Sequence, residues 1–268
     1  MAEQTLRAAD DANKANDLLA QALSEPQTVE APKIVSPTDI LVDLPGGIVI
    51  DGEVVKTALV REINGRDEEA LIRAESSGKM FSIVVNRATV SLGDTKATDE
   101  LLDSLLVGDR DAILLGIYRA TFGETAELSG YCNGCSEFKP VEIDILKDIK
   151  SRVLPDAQET NFIVKGKNKE FLVTLPTGKT QKKLLANPEA NIAESLTTLL
   201  EQTVLEIDGR PVFSKTQIQA LGLVDRRAIA DAIADRNPGP LFDPINVTCP
   251  DCESEVQVPI SLGTLFRL

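Results

Sequence analysis

Histidine and tryptophan are absent from the 268 residues. Without histidine the chain loses the usual general base, the Ser-His and Cys-His nucleophile pairs and the commonest metal ligand. Aromatic residues are scarce at 4%, so any core must be built of Leu, Ile, Val and Ala. Basic residues are outnumbered, 28 against 42 acidic, and the net charge is −14. A field of that sign repels phosphate backbones and argues against direct nucleic-acid binding. No apolar run approaches the length of a membrane-spanning helix. The opening stretch, MAEQTLRAADDANK, lacks the apolar segment of a secretion signal. The expected compartment is therefore a cytoplasm, where thiols stay reduced. No phosphate-binding glycine loop, GxSxG elbow or paired-carboxylate constellation is present, and no enzymatic activity is expected.

Cysteine is also rare, but its four copies are organised. They form two Cys-x-x-Cys pairs, Cys132/Cys135 in CNGCSEFKPVEIDI and Cys249/Cys252 in CPDCESEVQVPISL, each followed by a strand-like tail. Two such turns, each atop a β-hairpin, supply four thiolates to one tetrahedral ion, as in a zinc ribbon. The pairs are separated by 113 residues, far more than the usual spacing within one compact ribbon. Closing so long a loop costs only modestly more entropy than closing a short one. The expected cofactor is structural Zn2+. A redox dithiol, an iron–sulfur cluster and free thiols remain open alternatives at this point; a thioredoxin-like pair would open a helix after a strand.

The gap is explained if the chain is an internal repeat. Residues 48–72 align with 163–185, with Gly52 on Gly166 and Gly65 on Gly178. LLVGDRDAI (105–113) aligns with LGLVDRRAI (221–229), and the cysteine pairs coincide, with the offset drifting from about 113 to 117. The expected fold is α+β, in two related halves. Each is a β-hairpin plus helices, ending in a Cys-x-x-Cys β-hairpin, and the two knuckles join at an approximate two-fold axis. The expected segments are an N-terminal arm and linker (1–38), a first repeat (39–150) and a second (151–268). Asp51-Gly52 and Lys165-Gly166 read as hairpin turns. Asp109 and Asp225 read as helix N-caps, and Arg110 and Arg226, directly after them, as solvent-facing rather than inward ion pairs.

Two further features invite partners. Residues 1–24 carry a narrow apolar stripe (Leu6, Ala9, Ala12, Leu18, Leu19, Leu23), and the tether after them holds three prolines. Such a helix is marginal alone. It reads as an arm that docks on a neighbour, or as a disordered tail. Lys165, Lys167, Lys169, Lys179, Lys182 and Lys183 face one acid, Glu170, over residues 165–183. They read either as a site for an acidic partner or as a solvated hairpin face.

The order LPGG (44–47), VREINGRDEEAL (60–71), LLVGDRDAILLGIYRATFG (105–123) and YCNGC…FKPVEIDI (131–145) resembles the T4-type baseplate hub and hub-assembly family of tailed phages. Its members carry a GDR…LR…YG helix followed by a CPxC knuckle. The match is better in the first half than in the second. It departs in CNGC for CPxC, and in Val224 where Gly108 stands in the first half. The resemblance implies a structural virion protein of the tail baseplate, assembled in the host bacterial cytoplasm and contacting other tail proteins. The alternative it carries is a transient assembly factor absent from the mature particle. A zinc-dependent enzyme is the remote third reading.

Overall fold

A computed structural model describes residues 39–74 and 76–267; the expected arm and linker at 1–38 lie outside them. Strands β1 (Ile40–Ile50) and β2 (Glu53–Val60) form a hairpin. Its turn is Asp51-Gly52, with φ of 51° and 85°. Two consecutive positive φ values match the right-handed twist of the flanking strands. Between Asp43↔Thr57 and Ile48↔Val55 the register shifts, because the four residues Leu44–Gly47 oppose Lys56 alone. This bulge re-aims the LPGG backbone toward the core.

Helices α1 (Gly65–Leu71) and α2 (Ser77–Ala88) follow. Asn64 caps α1 in a capping box with Asp67, and Ser76 caps α2. Strands β3 (Thr89–Leu92) and β4 (Thr95–Lys96) complete a sheet of order β1-β2-β3-β4. Next come α3 (Asp99–Ser104) and α4 (Val107–Phe122). Helix α4 is buried over most of its length, at Gly108–Arg110 and Ala112–Tyr118, although it carries the charged Asp109 and Arg110. Ile113, Leu114 and Ile117 serve one core cluster, Leu115 and Tyr118 a second. Leu106, just before the helix, belongs to a third.

Strands β5 (Thr125–Cys132) and β6 (Glu137–Asp144) pair over their whole length. They lead through α5 (Ile145–Asp148) and β7 (Ser151–Arg152) to a second series: β8 (Asn161–Lys165), β9 (Glu170–Thr174), α6 (Gly178–Leu185), α7 (Ile192–Thr203), β10 (Val204–Ile207), β11 (Arg210–Pro211), α8 (Lys215–Gln219) and α9 (Leu223–Arg236). Its sheet has the order β11-β10-β9-β8. The chain ends in β12 (Gly239–Pro240), β13 (Ile245–Thr248), β14 (Glu255–Val258) and α10 (Leu262–Phe266). The protein is thus mixed α+β with antiparallel sheets, and no described helix is long and apolar enough to cross a membrane.

Several expectations are corrected. The β8–β9 turn is not Lys165-Gly166: Lys165 pairs with Glu170, and residues 166–169 form the connection. Asp109 and Asp225 are not N-caps. Helix α4 starts after Leu106 and α9 after Gly222, which places both aspartates in the third helical position. There they accept from loops instead: Asp109 Oδ1 from Gly46 N–H at 2.7 Å, Asp225 Oδ1 from Lys167 N–H at 2.7 Å. Arg110 and Arg226 are not solvent-facing but buried. Arg110 Nη1 donates to Leu102 O at 2.8 Å and Arg226 Nη1 to Ile218 O at 3.2 Å. Each guanidinium therefore donates to a carbonyl in the last turn of the preceding short helix, and Ile218 O also accepts from Leu221 N–H at 3.2 Å.

Candidate metal centre

The two cysteine pairs lie in the turns of two hairpins. Cys132 ends β5 and Glu137 opens β6; Thr248 ends β13 and Glu255 opens β14. The turns have one backbone solution. Ser136 N–H donates to Cys132 O at 2.8 Å, and Glu253 N–H to Cys249 O at 3.0 Å. Both donors, four residues past the first cysteine of their pair, have φ of 59°. Asn-Gly in one turn and Pro-Asp in the other reach the same geometry.

Strand β14 pairs with β5, Val256 opposite Cys132, so both hairpins join one sheet of order β13-β14-β5-β6. The antiparallel succession puts both turns at the same end of that sheet. The expected two-fold meeting is corrected here: the second strand of one hairpin pairs with the first strand of the other, a tandem arrangement that no two-fold axis generates.

The four sulfurs lie within 4.8 Å of one another. Cys132 Sγ is 3.4 Å from Cys252 Sγ, and Cys135 Sγ is 3.8 Å from Cys249 Sγ. A tetrahedral ion with metal–sulfur bonds of about 2.3 Å sets its sulfurs about 3.8 Å apart, so the cluster fits such an ion. All four thiols are free, and separations near 3.5 Å are too long for disulfide bonds of about 2.0 Å. Cys132 and Cys249 are buried, Cys135 is half-buried and Cys252 is exposed. Gly134 makes the approach possible, since a Cβ there would come within 2.4 Å of Ser254 Oγ and 2.7 Å of Cys252 Sγ.

Electrostatics favours ionising the outermost thiol first. Hydrogen bonds from the Ser254 hydroxyl and Ser254 N–H bring Cys252 down to about 6. The hydrogen bond with Cys252, followed by burial, pushes Cys135 up to about 12. A bound dication would override this order by favouring thiolate at every cysteine. Lys139 bridges the knuckles outside the sulfurs, 2.9 Å from Glu137 Oε2 and 2.8 Å from Asp251 Oδ2. These carboxylates hold the ammonium well above its usual range, with Asp251 the stronger influence.

Other sequence candidates lie on separate elements. Lys165, Lys167 and Lys169 sit at the β8–β9 turn, where Lys167 N–H holds Asp225. Lys179, Lys182 and Lys183 lie on α6, and Lys182 is bound to Asp103 on α3 at 2.6 Å. Asp109, missed as a buried group, has its carboxyl pushed up to about 6 by burial against the opposing Gly46 and Gly47 hydrogen bonds, and its Oδ2 has no hydrogen-bond partner among the described residues. A Cβ on neighbouring Gly108 would lie 1.5 Å from Pro238 O. The buried fate of GDR was legible only in its glycine, which allows that approach. Comparison with protein-family models, curated proteins and solved structures finds no match to this chain.

Proposed function

We propose that the chain is a zinc-stapled structural protein of the baseplate hub region of a bacteriophage tail, which scaffolds neighbouring subunits and catalyses nothing. The observation that carries the metal reading is the convergence of all four thiols, from turns 113 residues apart, into one cluster of tetrahedral size. Cys132, Cys135, Cys249 and Cys252 would hold Zn2+; four thiolates from a histidine-free chain suit zinc and fill its coordination, leaving no position for substrate. The ion would supply cohesion between two distant parts of the chain, and not Lewis-acid chemistry.

Residues 39–150 and 151–268 are, on this reading, a duplicated unit. Four pairs of equivalent details support it. Thr89 and Thr203 hydroxyls donate to Val85 O and Leu199 O at the ends of α2 and α7. Arg110 reaches Ser82, and Arg226 reaches Thr197, both at the sixth residue of their helices. The aspartates preceding these arginines both hold a loop N–H, and the knuckles share a left-handed residue directly after their second cysteine.

The phage assignment rests on the order of motifs around GDR and the first knuckle, and a closed metal staple is consistent with a scaffolding role. The 1–38 arm would dock on a neighbouring tail protein. The lysines of α6 and of the β8–β9 turn offer cations to acidic partner surfaces. Mass spectrometry of washed, mature tailed-phage particles from a host carrying this gene tests the assignment. Stoichiometric recovery supports a permanent component. Absence from particles that nevertheless require the gene for tail formation would overturn that role in favour of a transient assembly factor.

A further inference from the structure

In the seam between the two halves, the start of α4 receives the start of α6. Leu106 bridges Thr177, Val107 N–H donates to Pro176 O, and Gly178 N–H donates to Leu105 O, each bond at 3.0 Å. Arg110 Nε donates to Gln181 Oε1 at 2.8 Å. Leu185 packs over Gly78 so closely that a Cβ there would come within 2.4 Å of its side chain.

This contact runs one way only. A two-fold seam would seat α1 on the start of α9 in the same manner. A Cβ at Gly178 would touch Arg110 and Asp103 at 3.0 Å, whereas at Gly65, its counterpart, and at Gly222, the counterpart of Leu106, it would meet nothing within 4 Å among the described residues. One molecule therefore leaves both halves of the same contact open. At one end Ile72 is 77% exposed beside α1; at the other Leu223 is 72% and Ile192 90% exposed. Each is a large apolar side chain left uncovered among the described residues.

We propose that copies of this chain associate head to tail, α1 of one copy seated on the start of α9 of the next as α6 is seated on α4. The proposal rests on the duplication reading, which supplies the register. An offset of 113 carries Gln181 to Glu68 and Leu185 to Ile72; offsets of 115 and 116 carry Gly78 to Ala193 and Arg110 to Arg226. Ile72 then packs over Ala193, next to Ile192. Glu68 meets Arg226, whose bonds to Ile218, Ala193 and Thr197 use only Nη1 and Nη2, so the Nε bond that Arg110 gives Gln181 has no counterpart among the described residues. Charge is complementary, Glu68 and Glu69 on one face against Arg226 and Arg227 on the other. Val224 stands where Gly108 admits the Pro238 backbone, which holds the two copies further apart at that point than the halves are held. A heterologous contact of this kind closes into a ring or grows into an open chain.

The test is sedimentation velocity on the full-length protein as purified, across a concentration series. Wild type is expected to self-associate. Ile72→Asp and Leu223→Asp, both at exposed positions, are each expected to raise the concentration needed by at least about tenfold, with unchanged melting. Mixing the two variants is the decisive arm. Each keeps one intact face, so the mixture should form a 1:1 dimer that grows no further, which a two-fold contact cannot do. A wild type that stays monomeric, or a mixture that gives no dimer, overturns the proposal. Crystallography of such a monomer separates the layers: halves that superpose leave the duplication standing, and halves that do not remove both.

Discussion

Gly108→Ala probes the seam where the backbone of α4 meets β12. In a helix alone, alanine is favoured over glycine by about 1 kcal/mol. Here the new Cβ would lie 1.5 Å from Pro238 O, 2.5 Å from its carbonyl carbon and 2.9 Å from Gly239 Cα. These are backbone atoms, and no rotamer change can move them. Relief requires α4 and the 238–239 segment to separate by roughly 2 Å. Overpacking of a close-packed interior costs about 1–3 kcal/mol, and a backbone-on-backbone collision belongs at the upper end. After the helical gain, the net loss is about 2 kcal/mol, which for a chain of this size lowers Tm by about 4–8 °C. The control is Gly65→Ala, at a helix start with nothing within 4 Å, which should leave Tm unchanged or slightly raised. Differential scanning fluorimetry of both variants checks the pair. Equal melting of Gly108→Ala and Gly65→Ala would refute the packing argument.

Asp109 should make stability depend on pH. Its folded carboxyl, pushed up to about 6 by burial, lies above the ordinary unfolded value near 3.9, so folding favours the protonated form. Its contribution is best below about pH 4 and is lost as pH rises through about 6, by on the order of 3 kcal/mol. Asp109→Asn keeps an acceptor for Gly46 N–H, and the difference between its urea-unfolding curve and that of wild type should grow across that window. Arg110→Met should cost about 2–4 kcal/mol by chemical denaturation, because Leu102 O loses its donor inside the protein. The same change at Arg226, which lacks the bond to Gln181, should cost less.

What was legible in the sequence was local. Cys-x-x-Cys spacing identified the four residues that cluster, because two cysteines three apart can share one turn whatever surrounds them. Asp51-Gly52 identified a hairpin because its backbone preference is intrinsic. What failed depended on distant contacts. Asp109 and Asp225 have the composition of caps, but the helices begin two residues earlier, at α4 beside the Leu106–Thr177 bridge. Arg110 reads as a surface cation because its partners, Leu102 O on α3, Ser82 on α2 and Gln181 on α6, come together only in the fold. The short strands β3 and β10 have no separate signal, because Thr89-Val90 and Thr203-Val204 continue the apolar pattern of the helices before them. The tandem seam of the cysteine hairpins had no sequence signal, since either edge of a hairpin offers the same backbone groups.

Metal analysis of the protein purified without added metal tests the staple most directly. The account predicts about one equivalent of zinc per chain and no titratable thiol until a strong chelator removes it, with a matching fall in Tm. It also predicts that Cys249→Ser loses the metal. A protein that contains no metal, titrates four free thiols and melts identically with and without chelator would contradict it.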